Sequence, residues 1–178
     1  MASYLNGAIK HFKTITKHRH LVMLNCFRAG IPLQGLKHDL TKYSPAEFLV
    51  GAKYFQGTRS PNVAERLEKG YSSAWMHHKG RNKHHYEYWF DNDDSSHTLV
   101  PVEMPTKYVI EMFCDRVAAS KVYKGKDYKD STSLDYFNSH DYRVTMHPAT
   151  RKMLEDLLVM LANEGETKTF RYIRHLDK

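Results

Sequence analysis

The sequence predicts an all-α fold, a single helical bundle over residues 1–178. Three observations carry this expectation. Apolar residues recur at three- and four-residue steps in three long stretches, 5–29, 106–123 and 148–163, which is the repeat of one helix face. Proline and glycine stand where helices start and stop. No stretch alternates apolar and polar residues as a half-buried strand does. A chain of 178 residues suits one domain with a real core.

Taken in order, residues 5–29 form the first helix, with Ile15, His18, Val22, Cys26 and Ala29 on one face. Gly30 stops it and Pro32 confirms the break. His18 lies on the apolar face and is the better inward-pointing candidate. His20 shares a more polar line with Lys13, Lys17 and Leu24 and stands in reserve. Residues 36–42 begin or end a short helix. Ser44, Pro45 and Glu47 have the pattern of an N-cap, a first-turn proline and a third-position acid, opening a helix to about Phe55. After a loop at 57–61, a short helix runs from Pro61 to Lys69 and closes at Gly70. Residues 71–78 are helical, Gly80 breaks them, and Asn82 caps a renewed helix through Trp89. Residues 91–105, with Asp93-Asp94-Ser95-Ser96, read as a surface loop.

In the helix at 106–123, Tyr108, Met112, Asp115, Ala119 and Val122 make the stripe. Asp115 falls in its middle, and a buried carboxylate there needs a partner. Residues 125–145 are tyrosine-rich and irregular around one short helix near Leu134. Pro148 opens a helix to Asn163 with Met153, Leu157, Leu158 and Leu161 inward; Gly165 ends it, and a last short helix follows over 166–175.

The net charge of +7 favours anionic partners such as phosphorylated metabolites, nucleotides or nucleic acid. No apolar run approaches the roughly 18 residues of a membrane span, and residues 1–17 lack a signal-peptide pattern. Cys26 and Cys114 form neither a CxxC pair nor a disulfide framework, so a reduced, cytoplasmic protein with no membrane association is expected. The 12 histidines are the more unusual feature, four of them within nine positions at His77, His78, His84 and His85.

His38-Asp39 with Lys42 places an imidazole, a carboxylate and an ammonium within five positions. On a helix the first two point about 100° apart and can flank one ion. His18, His38, Asp39 and Asp115 would fill most of one metal site. Asp39 can bridge to a second ion held by His78 and one or both of His84 and His85. Two ions roughly 3.5–4 Å apart can clamp a phosphate. The imidazole-rich donor set suits one or two ions of Mn, Fe, Zn, Co or Ni and argues against Mg. Asp39, Lys42, Arg81 and Arg116 are the candidate catalytic residues, the last three as phosphate contacts; Arg116 could equally pair with an acid. Asn82 and Glu87 either orient ligands or serve as a cap and a surface acid. His77 reads as the solvent-side neighbour of His78. Trp75, Tyr86, Tyr88 and Trp89 read as core rather than a base-stacking platform. His11, His97, His140, His147 and His175 have no assigned role.

The order His…His-Asp…His…His…Asp on a helical chain resembles the HD-domain superfamily of metal-dependent phosphohydrolases. His38-Asp39-x-x-Lys42 has the spacing of the HDxGK signature of HD-type cyclic-dinucleotide phosphodiesterases and inositol oxygenases, with Leu40-Thr41 in place of x-Gly. The resemblance is greatest to a bacterial and phage family of HD-like proteins that carry HDLSK, HHKGRNxHHxEYW, MFCDRxAA and HPxT. Here these are His38–Lys42 (with Thr41 for Ser), His77–Trp89, Met112–Ala119 and His147–Thr150, covering nearly the whole chain. The resemblance implies an HD-domain-like bundle and metal binding, without naming a substrate. Lys42, the basic balance and the prevalence of hydrolases among HD proteins together favour metal-dependent hydrolysis of a small anionic phosphomonoester or phosphodiester of nucleotide type. A di-iron oxygenase and a non-enzymatic nucleic-acid-binding module are the competing expectations.

Overall fold

The computed structural model describes residues 2–142 and 145–178. The chain is predominantly helical, as expected. Helix α1 (Ala2–Arg28) is followed by α2 (Pro32–Lys37), α3 (Pro45–Lys53), α4 (Pro61–Lys69), α5 (Ser73–Lys79), α6 (Thr106–Lys124), α7 (Thr132–Asn138) and α8 (Pro148–Arg174). Single 3-10 turns lie at Leu40–Tyr43, Tyr86–Tyr88 and Gly125–Asp127. No helix of the described residues is long and apolar enough to cross a membrane.

Helix α1 packs against α2, α3, α6 and α8, and α6 also packs against α8. On α1 the expected face is the buried one: Ile15, His18, Val22, Cys26 and Ala29 are all buried. On α8 Leu154, Leu157, Leu158 and Leu161 are buried, and Met153 only packs at the edge. Gly165 leaves helical geometry at φ 77°, ψ 170°, so α8 consists of two helical pieces joined at a kink, as the glycine implies. Helix α6 differs from expectation. Its buried residues are Val109 to Cys114, Val117 and Ala118, because it is enclosed by α1 and α8. Asp115 therefore sits at the rim of the buried surface rather than in the middle of an apolar stripe.

Three further expectations are corrected. Residues 82–89 do not form a renewed helix; they turn and make only the 3-10 turn Tyr86–Tyr88. Part of the expected loop at 91–105 is a hairpin, β1 (Phe90–Asp93) paired antiparallel to β2 (Thr98–Pro101). Its turn is built locally, with the Asp93 carboxylate accepting from the hydroxyls of Ser95 and Ser96 and His97 at φ 52°. Ser44 stands at the N-cap of α3, but its side chain makes no capping bond, so Pro45 at the first turn defines that start. The expected short helix near Leu134 is α7; residues 143 and 144 of the irregular stretch lie outside the described residues.

Candidate metal centre

The polar centre forms where α1, α5 and α6 face the segment between α2 and the 3-10 turn at Leu40. His38 and Asp39 are not on a helix, contrary to the sequence reading. His38 is extended (φ −51°, ψ 127°) and Asp39 is left-handed (φ 55°, ψ 24°), so the chain reverses between two helical pieces. This reversal buries both side chains to 1% exposure and turns the two Asp39 oxygens in different directions. Oδ1 lies 3.1 Å from His78 Nε2 and 3.5 Å from His84 Nε2. Oδ2 lies 3.3 Å from His38 Nε2 and 3.6 Å from His18 Nε2. Asp115 Oδ1 closes the second group at 2.9 Å from His18 Nε2 and 3.6 Å from His38 Nε2.

The expected residues thus gather into two buried groups that share Asp39. One is Asp39, His78, His84 and His85; the other is His18, His38, Asp39 and Asp115. His18 rather than His20 is the inward residue, since His20 is exposed. Both His84 and His85 join the first group, which answers the choice that the sequence leaves open.

The donors face each other without hydrogen bonds. The Nε2 atoms of His18, His38, His78, His84 and His85 and both oxygens of Asp39 are buried and have no hydrogen-bond partner. Buried polar atoms are normally paired, so seven together require an explanation. Tautomer supplies it. His38 and His84 place Nδ1 at 2.9 and 3.2 Å from Glu111 Oε1, and His78 places Nδ1 at 2.7 Å from Glu47 Oε2. Burial raises the acid range of both glutamates, but the imidazoles beside them outweigh it and hold both carboxyls low. An ionised carboxylate only accepts, so each Nδ1 donates. In the neutral imidazole the lone pair then sits on Nε2, aimed at a carboxylate oxygen, an arrangement that a cation between them satisfies. His38 and His78 are shifted upward, their carboxylate neighbours outweighing burial. Burial keeps His84 and His85 shifted downward.

Spacing and charge both fit an ion. Donors about 2.0–2.1 Å from a common metal stand about 3.0 Å apart in octahedral and about 3.4 Å apart in tetrahedral geometry; the imidazole–carboxylate separations given above run from 2.9 to 3.6 Å, and all donors of each group lie within 4.8 Å of one another. Four carboxylates (Asp39, Asp115, Glu47 and Glu111) converge on this volume, and Asp39 and Asp115 are held well below the carboxylate range despite burial. Buried carboxylates in that number demand cations. The described side chains supply Lys42, whose Nζ makes an ion pair with Asp39 Oδ2 at 2.5 Å, outside hydrogen-bond geometry. Its ammonium is shifted upward, Asp39 outweighing burial.

The other expected phosphate contacts are placed elsewhere. Arg81 is exposed and donates to the backbone carbonyl of His77. Arg116 lies over the rings of Tyr142 and Phe137 and donates to the Tyr142 hydroxyl. Arg116 follows Asp115 directly on α6 and so points about 100° away from it, and Arg81 lies beyond the end of α5. Asn82 is an orienting residue, donating to Thr41 Oγ1 and the His78 carbonyl. His77 binds the second oxygen of Glu47 at 2.7 Å and is partly exposed. Trp75 packs its ring against those of His78 and His85, a wall of the centre.

The sequence does not single out Glu111 or Glu47 as site residues, and it does not mark Arg19, whose guanidinium donates to the backbone carbonyls of Leu36 and His38 beside the centre. Glu111 had a signal: it lies four residues before Asp115 on the same face of α6. Glu47 looked like an ordinary first-turn acid, and Arg19 like one of many surface cations. Across this arrangement the buried His/Asp clusters can hold a metal ion.

No curated protein and no solved structure matches the chain. A family model, described as a family of unknown function (DUF5662), matches residues 7–160 and so takes in every donor described above. By that match the chain belongs to DUF5662.

Proposed function

We propose that the chain is a metal-dependent phosphohydrolase acting on a small phosphomonoester or phosphodiester, with a dinuclear centre bridged by Asp39. One observation carries the reading: seven buried donor atoms without hydrogen bonds, in two groups joined by the two oxygens of one carboxylate. The resemblance of His38–Lys42 to the HD-domain signature supports the same reading, as does the net charge of +7.

A pair of divalent ions, when bound, supplies Lewis acidity toward a phosphoryl oxygen and lowers the pKa of a water. The chain's own residues do the rest. Glu111 and Glu47 fix the rings of His38, His84 and His78 with Nε2 inward. Asp39 keeps the two halves in register. Lys42, 29% exposed, connects the buried carboxylate to solvent and is the cation that meets an approaching phosphate. Trp75 and the buried histidines exclude bulk water from one side, which strengthens every charge interaction within.

The test is a phosphate-release screen with nucleotide monoesters and diesters, using protein loaded with Mn, Co, Zn or Fe. The reading expects turnover under nitrogen that is abolished in Asp39→Ala. Oxygen consumption by the iron-loaded protein without phosphate release would replace it with the oxygenase reading.

A further inference from the structure

We infer that Arg19 is the positioning residue of this centre: its guanidinium, forked across the carbonyls of Leu36 and His38, holds the His38–Asp39 turn in the conformation that presents both Asp39 oxygens. The inference rests on the metal-binding reading above.

The turn needs such a device. Helix α2 has only six residues and ends at Lys37, leaving its last carbonyls without partners inside the helix. Helices that stop this sharply usually do so on a glycine. Here the left-handed position is Asp39, which carries a side chain at φ 55°. A residue with a side chain is rarely held there and persists only where its surroundings over-determine it.

Arg19 supplies that constraint. Its Nη2 donates to Leu36 O at 2.5 Å and its Nε to His38 O at 3.1 Å, one carbonyl inside the end of α2 and one next to Asp39. On the far side Lys42 N donates to Asp39 O at 3.0 Å. The turn is thus held on both sides of the strained residue. Arg19 also follows His18 directly on α1, so the same helix turn provides one donor and fixes the segment that provides two more. A guanidinium has the planar fork that reaches two carbonyls at once, which an ammonium lacks. Metal sites tolerate donor displacements of about 0.2 Å, and a small rotation at Asp39 moves both oxygens together.

The sign of the effect separates positioning from charge. Removing a nearby cation should tighten binding of another cation on Coulomb grounds; loss of positioning should weaken it. The experiment measures affinity for Zn2+ and for Mn2+ by competition with a chromophoric chelator, in wild type, Arg19→Met, Arg19→Lys and Arg19→Ala. Arg19→Met and Arg19→Lys should both bind at least ten-fold more weakly. Millimolar methylguanidinium should partly restore Arg19→Ala and leave wild type unchanged. Circular dichroism of the metal-free variants checks that they fold, and Arg19→Lys keeps the charge should Arg19→Met fail to do so. Wild-type or tighter affinity in Arg19→Met, or full affinity in Arg19→Lys, would overturn the inference while leaving metal binding intact. A wild type that takes up neither ion would overturn the metal-binding reading and this role together.

Discussion

The Nε2 of His78 lies 3.1 Å from Oδ1 of Asp39, while the other oxygen of Asp39 faces His38 and His18 on the opposite side. One carboxylate therefore divides the buried histidines into two sets. His78 belongs to one set only, so His78→Ala should lower the stoichiometry of bound metal to about one ion per chain and reduce turnover more than affinity. Elemental analysis after equilibration with excess Mn2+ reads the first effect. Unchanged stoichiometry would place His78 outside the centre.

A metal ion at this centre would compete with Lys42 for the same oxygen. With Nζ 2.5 Å from Asp39 Oδ2, the ammonium already occupies part of the charge that an ion would neutralise. Lys42→Met should bind Zn2+ at least ten-fold more tightly than wild type, and phosphate release should fall because the substrate loses its cation. Calorimetric titration checks the first and the release assay the second; weaker metal binding in this variant would contradict the competition.

Glu111 serves two ligands at once through a single oxygen. Glu111→Gln keeps the shape but replaces a carboxylate that must accept from both imidazoles. Loss of such an orienting group typically weakens metal binding by about 10–100-fold. A chelator competition should show a fall in that range, with the helical content unchanged by circular dichroism.

Much of this centre was legible in the sequence, and the physical reasons differ from residue to residue. His18 could be placed because helix α1 is regular and its buried face follows the 3.6-residue repeat without interruption. Asp115 was rightly brought to the centre but for an incomplete reason. Helix α6 is buried nearly all round from Val109 to Cys114, so periodicity could not tell its rim from its middle. His38 and Asp39 were found as a pair, yet their geometry was not, since a left-handed aspartate leaves no mark on hydrophobic patterning. The hairpin at Phe90–Pro101 escapes because its strands have four residues each and bury none of them, too short and polar for alternation to appear. Glu47 and Arg19 act through partners far away in sequence, which one chain read alone does not disclose.

Away from the donors, Glu65 governs how α5 is presented. It is fully buried and accepts from the hydroxyls of Ser72 and Ser73 and from Lys69, at the start of the helix that carries His77 and His78. Burial raises its acid range, but these donors outweigh it and hold the carboxyl down at about 2. A folded value below the unfolded one means that its stabilisation is complete above about pH 4.5 and is lost as pH falls toward 2. Glu65→Ala should melt about 4–12 °C lower at neutral pH, corresponding to about 2–3 kcal/mol. That difference should shrink in melting curves recorded between pH 4.5 and pH 2. A constant difference across that window would contradict the assignment.

If one buried carboxylate, Asp39, joins two metal sites, the number of ions bound per chain reveals it. Wild-type protein purified without chelator or nickel resin is titrated with Mn2+ or Zn2+ beside Asp39→Ala, with calorimetry and elemental analysis as the two readouts. The account predicts two ions per wild-type chain and the loss of most bound metal in Asp39→Ala, with the fold retained. One ion or none in wild type, or full occupancy in Asp39→Ala, would overturn it.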